Sequence, residues 1–402
     1  MPGVLPDGEP VPRDGALPPA ALPVVGERSF GVYVHVPFCR SRCGYCDFNT
    51  YTASEGVVAD GYADQVLAEL ALAERVLGAA PRVQTVFFGG GTPTLLPPAE
   101  LGRILDGIDR TWGLTGDAEV TTEANPESVT ADSLRALRTA GFTRISLGMQ
   151  SAAPHVLAVL DRRHTPGRAA AAAAEARDAG FAHVNLDLIY GTPGETAADF
   201  AGTLAMALDA GVDHVSAYAL IVEDGTRLAA RMRRGELPYP DDDVAADRYL
   251  AADYTLTGAG FAWYEVSNWA RTPADRCRHN LLYWTGGDWW GFGPGAHSHV
   301  GGVRWWNVKH PNAYAARLSG GVSPGQAREI LTGAERHSED VLLRLRLADG
   351  LPLSTLDESG RDAARRALAD GLLDATAYHD QRAVLTLRGR LLADAVVRDL
   401  LP

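Results

Sequence analysis

From Phe30 onward the apolar positions alternate between two periods. Short apolar runs recur at GVYVHV (31–36), VQTVFF (83–88), AEVTTE (118–123), TRISLGM (143–149), HVNLDLI (183–189) and VDHVSAYAL (212–220), and each reads as a strand. Between them, residues 60–78, 98–111, 130–140, 153–160, 166–180 and 196–210 carry apolar residues at helical spacing. Six strands, each followed by helix or loop, predict a parallel α/β sheet buried under helices. Periodicity leaves open whether that sheet is doubly wound or curls into a partial barrel.

The rhythm breaks after about residue 225. Residues 241–258 read as a helix and FAWYEVS as a strand. A glycine- and tryptophan-rich stretch follows at 284–306, and seven of the eight tryptophans lie between Trp263 and Trp306. The tail predicts two helices, a short strand (AVLTL) and a last helix beginning near Arg388, a small α+β, winged-helix-like unit. The expected organisation is a leader over 1–28, the βα-repeating unit over 29–240, a Trp/Gly-rich connecting segment over 241–322 and a C-terminal domain over 323–402.

Composition trims the function classes. The 402 residues suffice for more than one core, and 46% are hydrophobic. With 37 basic and 50 acidic residues the formal charge is −13, so nonspecific nucleic-acid binding is not expected. No run of about 18 apolar residues occurs, so no membrane-spanning helix is expected, and membrane contact would be peripheral. Residues 1–28 hold seven of the 24 prolines, early acids and no basic start, which predicts a disordered leader and not a secretory signal. The cytoplasm is the expected compartment.

Candidate chemistry begins at the cysteines. Cys39, Cys43 and Cys46 fall within eight residues directly after the first strand, and Cys277 stands alone. A structural zinc takes four ligands, and this loop supplies three. A cubane iron–sulfur cluster on three thiolates keeps one iron open for a ligand. Zinc completed by Cys277 or a histidine is the blander reading. Arg40 and Arg42 would favour an anionic cluster, unless they are simply solvated.

Further polar residues fall at the ends of successive strands, where barrel active sites sit. GGGTPT (89–94) follows strand two, and its glycines would let backbone amides approach a ligand, with a tight structural turn as the plainer alternative. Glu123 ends strand three, Gln150 follows strand four, and Asp187 lies inside an apolar strand run. An unpaired buried carboxylate is costly, so Asp187 needs a partner or a ligand. Tyr33 and His35 alternate on strand one, and His35 reads as a core histidine.

The C-x3-C-x2-C loop resembles that of the radical S-adenosylmethionine (SAM) enzymes. The resemblance implies a partial (β/α)6 barrel, a [4Fe–4S] cluster on Cys39, Cys43 and Cys46, and SAM chelated by the open iron. It implies SAM contacts from Tyr33, Gly90, Gly91, Thr92, Glu123, Gln150, Arg162, Asp187 and, more loosely, Ala219. Arg163 adjoins Arg162 and competes for that assignment.

YVHVPFCRSRCGYCDFNT, VFFGGGTPTLL, EANPES, RISLGMQS, LDLIYGTPGET and HNLLYWTGGDWWGFGPGAHS together resemble the anaerobic coproporphyrinogen oxidase family. That family has an enzyme branch, the oxygen-independent coproporphyrinogen III dehydrogenase, and a haem chaperone branch, HemW. The enzyme branch carries a fourth cysteine two residues after the third. Here that position is Phe48, and the leader offers only Arg13 and Arg28 as cations, so the chaperone branch is favoured.

The resemblance implies haem as ligand, acceptor haemoproteins such as respiratory enzymes as partners, and no catalytic turnover of coproporphyrinogen. His279, Asn280, Tyr283 and Trp284 match the H-N-x-x-Y-W motif implicated in haem binding. An imidazole can ligate haem iron, whereas the plainer alternative makes His279 a hydrogen-bonder at a helix start. Cys277 is a second candidate ligand, or else a buried inert thiol.

Overall fold

The computed structural model describes residues 8–22, 28–57, 59–78, 81–162 and 165–401. Six parallel strands run in chain order: β1 (Phe30–Val36), β2 (Val83–Gly90), β3 (Leu114–Ala124), β4 (Arg144–Gln150), β5 (His183–Tyr190) and β6 (His214–Ala219). Helices α1 (Tyr62–Leu77), α2 (Pro98–Trp112), α3 (Ala131–Thr139), α4 (Pro154–Val159), α5 (Arg168–Asp178) and α6 (Ala197–Asp209) lie between them. The expected βα units are therefore present, their bounds shifted by a residue or two, except that β3 begins four residues earlier than expected.

Local chemistry explains the helix starts. Pro98 occupies the first turn of α2, where its missing N–H costs nothing. Thr130 caps α3 by accepting from Ser133 N, and Thr196 caps α6 by accepting from Asp199 N. The alanine-rich α5 buries Ala169, Ala172, Ala173 and Ala176, one small-residue stripe at helical spacing. Val32, Val34 and Val36 are fully buried on one face of β1, while Tyr33 and His35 alternate onto the other.

The stretch expected as a connecting segment instead extends the sheet at both edges. After α7 (Arg227–Arg233) and α8 (Asp242–Gly258), the hairpin β7 (Ala262–Glu265) and β8 (Asn268–Ala270) pairs antiparallel onto β6. Helix α9 (Arg278–Trp284) then leads to β9 (Asp288–Phe292), which lies parallel to β1. Strands β10 (His297–Val300), β11 (Val303–Asn307) and β12 (Gly325–Ile330) continue antiparallel, with α10 (Pro311–Ser319) between the last two. The twelve strands run β12-β11-β10-β9-β1-β2-β3-β4-β5-β6-β8-β7. The tryptophans of this region are largely core: Trp269, Trp290, Trp305 and Trp306 are buried.

The C-terminal unit starts later than expected, because residues 325–330 belong to the main sheet. It comprises α11 (Gly333–Arg344), α12 (Glu358–Ala369), α13 (Ala375–His379), α14 (Leu387–Leu391) and α15 (Ala393–Leu400) around a separate apolar core. The expected AVLTL strand shrinks to a two-residue pairing of Arg382–Ala383 with Leu351–Pro352.

The leader also departs from expectation. Within the described span 8–22, Glu9 and Arg328 on β12 exchange two backbone hydrogen bonds of 2.8 Å. The Arg328 guanidinium donates to the Glu9 carboxylate at 2.6 Å, and Ser323 N donates to Arg13 O at 2.7 Å. Proline richness here accompanies a segment with two turns that meets β12 through a single bridge, Glu9 to Arg328.

Candidate functional site

The loop after β1 and the C-terminal ends of β2–β6 surround a cavity of about 930 Å³. Its wall brings together ten of the sequence-predicted residues: Cys39, Cys43, Cys46, Gly90, Gly91, Thr92, Glu123, Gln150, Arg162 and Asp187. Tyr33, Ala219 and the four residues of the His279 motif are not on that wall.

The cysteine loop is held from below. Phe38–Cys39 pairs with Tyr51–Thr52, and Arg42 donates to the Thr50 carbonyl, to Thr50 Oγ1 at 3.3 Å and to Glu55 at 3.1 Å. Arg42 therefore braces the loop, while the exposed Arg40 stands on the cavity wall. Burial pushes the Cys39 thiol up and the Cys46 thiol up to about 11, so a metal that binds them as thiolates must displace their protons.

Spacing decides which metal centre fits. A tetrahedral ion with Zn–S of about 2.3 Å brings its sulfurs within about 4 Å of one another. Among the described residues only His183, Asp213 and Asp275 bring three such ligand atoms within 4.8 Å. The three cysteine sulfurs do not all lie within that distance of one another, wider than a single tetrahedral ion draws its ligands. Cys277 is 4% exposed, and its thiol faces Glu119 Oε1 at 3.6 Å, so it completes no fourth ligand position.

Arg162 ties the cysteine loop to the strand tops. Its guanidinium donates to Cys43 Sγ at 3.3 Å, to Gln150 Oε1 at 2.9 Å and to Gly148 O at 2.9 Å. Gln150 has φ of 60°, a left-handed conformation that turns its side chain toward Arg162. Arg163 lies outside the described residues.

The glycine run takes the plainer alternative, a tight structural turn. Gly90 N donates to Glu123 Oε2 at 3.0 Å, Gly91 N to Val36 O at 2.8 Å and Thr92 N to Phe38 O at 2.8 Å. These amides serve the protein and are not free for a ligand. A Cβ on Gly91 would stand 2.5 Å from the Phe38 carbonyl oxygen, so glycine here permits close packing of the turn on the cysteine loop.

Two half-buried carboxyls face the cavity. Burial, with Asp187 nearby, pushes Glu123 up to about 8. Burial also raises Asp187, which accepts from Ser146 Oγ and Asn185 Nδ2, both at 2.8 Å. Ser146 and Asn185 escaped sequence reading. The usable signal was register: Glu123, Ser146 and Asn185 are laterally paired on neighbouring strands, one inward-facing row. Tyr45 and Tyr218 were likewise missed and line the wall. Phe48 stands on the same wall, 60% exposed.

Tyr33 sits deeper, its hydroxyl 2.9 Å from His35 Nδ1, while His35 Nε2 meets Asn49 O at 2.9 Å. Ala219 ends β6 beside Tyr190, and its neighbour Tyr218 takes the wall position. The His279 motif is packed inside the fold. His279 is 1% exposed, with Nδ1 2.8 Å from Thr85 Oγ1 and Nε2 2.8 Å from Tyr283 Oη. Burial lowers its pKa to about 3, and its ring stacks on Phe87 at 5.1 Å. Glu119 Oε1 accepts from His279 N at 3.0 Å, the helix-start role anticipated as the plainer alternative. In this arrangement no ring nitrogen is open to an iron. Asn280 and Trp284 favour the ionised form of the buried Glu265, which burial pushes up to about 8.

The profile of the radical SAM superfamily matches residues 33–207. The heme chaperone HemW of Mycobacterium tuberculosis (strain ATCC 25618 / H37Rv) is 59% identical over 385 residues, covering 95% of this chain and 97% of the relative. The heme chaperone HemW of Bacillus subtilis (strain 168) is 32% identical over 370 residues, covering 90% and 97%. The solved coproporphyrinogen III oxidase (HemN) of Escherichia coli, a radical SAM enzyme, superposes with a TM-score of 0.80 at 26% identity, covering 94% of this chain and 92% of that one. With end-to-end identity of this order, and three cysteines converging on a strand-top cavity, the chain belongs to the HemW haem chaperone family of the radical SAM superfamily.

Proposed function

We propose that this protein binds haem and passes it to acceptor haemoproteins. Its scaffold is a cytoplasmic barrel that holds a [4Fe–4S] cluster on Cys39, Cys43 and Cys46 and SAM above it. The observation that carries this reading is the 59% identity, over 95% of the chain, to a protein named as a heme chaperone. No helix among the described residues is long and apolar enough to cross a membrane, so contact with a membrane-bound acceptor would be peripheral.

The chain's residues divide the work at the strand tops. The cluster, when bound, supplies an open iron and a source of one electron. Arg162 holds the Cys43 sulfur against Gln150 and Gly148, and so fixes the wall without reaching into the cavity. Glu123 and Asp187 offer carboxyl oxygens to the donor groups of a bound SAM, with Ser146 and Asn185 orienting Asp187. The ammonium of SAM is a donor, so at the Gly90–Thr92 turn it calls for carbonyl acceptors, the amides being engaged.

A second reading, the oxygen-independent coproporphyrinogen III dehydrogenase, draws on the 0.80 TM-score match to that enzyme. Phe48 weighs against it, because a phenyl ring stands where the enzyme branch has its fourth cysteine. Anaerobically reconstituted protein given SAM, reductant and coproporphyrinogen III is expected to make no protoporphyrinogen catalytically. Loaded with haem, it is expected to pass that haem to an apo-haemoprotein. Catalytic protoporphyrinogen formation would overturn the chaperone reading.

A further inference from the structure

A chain of buried hydrogen bonds runs from the cavity wall toward the foot of the barrel. Asp187 Oδ1 accepts from Asn185 Nδ2 at 2.8 Å, and Asn185 Oδ1 lies 2.7 Å from His214 Nδ1. His214 Nε2 lies 2.7 Å from Tyr264 Oη, which accepts from Cys277 N at 3.1 Å. Asp187 and Asn185 share one face of β5, His214 stands beside Asn185 on β6, Tyr264 is on β7, and Cys277 precedes α9. Asn185, His214 and Tyr264 are all buried, so a partner lost here is not replaced by bulk water.

Donor chemistry fixes the direction of each bond. A backbone N–H only donates, so Tyr264 Oη accepts from Cys277 and turns its own proton to His214 Nε2. Burial, with Arg144 and His183 nearby, lowers the His214 pKa well below its usual range, so the ring is neutral and carries one proton. With Nε2 accepting, that proton is on Nδ1 and is donated to Asn185 Oδ1. The amide then presents Nδ2 to the Asp187 carboxyl.

The reversed amide would be worse at both ends. It would set Asn185 Oδ1 against the Asp187 carboxyl and an N–H against the Nδ1 proton of His214. The other donor to Asn185 Oδ1, Ser216 Oγ, is 3.4 Å away, so the imidazole is the closer guide. Every donor in the chain points toward Asp187, and bonds aligned in this way strengthen one another.

We propose that His214 is a positioning residue for SAM: it holds the Asn185 amide in the orientation that donates to Asp187, while Tyr264 and the backbone before α9 set its tautomer. The assignment rests on the reading above that Asp187 takes a donor group of SAM. An amide passes no proton along, so the chain orients Asp187 and conducts nothing. Cys277 lies two residues before His279, so the start of that helix acts on the cavity from outside it.

Calorimetric titration of the cluster-loaded, full-length protein with SAM tests it, beside iron per chain and a denaturant melt. His214→Phe fills the space but donates nothing, and should raise the SAM Kd about tenfold with iron content kept. His214→Asn brings an amide N–H near the place of Nδ1 and should recover most of that affinity. A role in packing alone predicts the reverse order, because asparagine leaves part of the space empty. Tyr264→Phe should raise the Kd about threefold, because Nε2 loses its donor. A wild-type protein that binds no SAM, or Asp187→Asn with the wild-type Kd, would overturn the reading of SAM at Asp187. If that reading stands, an unchanged Kd in His214→Phe, or asparagine binding more weakly than phenylalanine, would overturn the role of His214 alone. Should His214→Phe fail to fold, Tyr264→Phe decides, and an unchanged Kd there overturns the proposal.

Discussion

The cysteine loop and the His279 helix are the two most motif-like segments of the chain, and the fold treats them oppositely. The loop residues have little packing duty. Cys39, Cys43 and Cys46 are half-buried and open onto one cavity. The helix residues are consumed by packing: His279, Asn280, Tyr283 and Trp284 bind Thr85, Glu265 and one another, away from that cavity. A spacing that brings side chains together therefore does not say whether they meet around a ligand or around each other. The deciding observation is what the side chains face: the cysteines open onto a cavity, whereas both ring nitrogens of His279 are matched inside the fold.

The contrast can be broken most sharply at the loop. Cys43→Ser should abolish iron retention after anaerobic reconstitution, measured as iron per chain; retention at the wild-type level would remove Cys43 from the ligand set. The matching change on the helix, His279→Ala, should leave iron content intact but lower stability by about 2–4 kcal/mol. It leaves Thr85 and Tyr283 without their shared partner and opens a hole beside Phe87. Denaturant melts check the loss, and a haem spectrum altered beyond what the melt explains would restore His279 as a ligand.

A smaller effect separates positioning from ligation within the first region. Arg162→Lys keeps the charge but cannot reach Cys43, Gln150 and Gly148 together. SAM affinity should then fall roughly tenfold, about 1.4 kcal/mol, with iron content preserved. Calorimetric titration with SAM reads this directly, and unchanged affinity would show that Arg162 braces nothing that SAM needs.

The smallest effect is a pH slope. Burial raises Glu265 to about 8, above its ordinary value of 4.5. Its contribution to stability is therefore full below about 4.5 and is lost as pH rises through about 8. The melting temperature should fall between pH 6 and pH 9, and Glu265→Gln should flatten part of that fall. An equal slope in the variant would mean that Glu265 is ionised in the fold. Glu69 and Glu123, also raised by burial, sustain the remainder.

The barrel was legible because each parallel strand is a short apolar run followed by its own helix, so local pattern and global fold agree. The strand-top residues were legible for the same reason, since polar groups at successive strand ends share one rim. The sheet extensions were not. Asp288 pairs across from Phe30, and nothing local to a Gly/Trp-rich stretch reports a partner that distant. Short strands joined by tight turns also lack the length that makes a period visible. The glycine run was read for its freedom, whereas its amides were already claimed by Val36, Phe38 and Glu123.

The docked leader has a consequence for the chain's life in a crowded solution. A sheet that does not close has two rims, each a template for pairing with another molecule. One rim here, β7, is only four residues long. The other, β12, is longer, and Glu9 occupies the backbone groups of Arg328 that would otherwise invite a foreign strand. Deleting residues 1–22 should leave the cysteine cavity intact yet make the protein self-associate with rising concentration. Pro10 and Pro12, which follow the Glu9 pairing, lack the N–H that would pass the ladder on to a further chain.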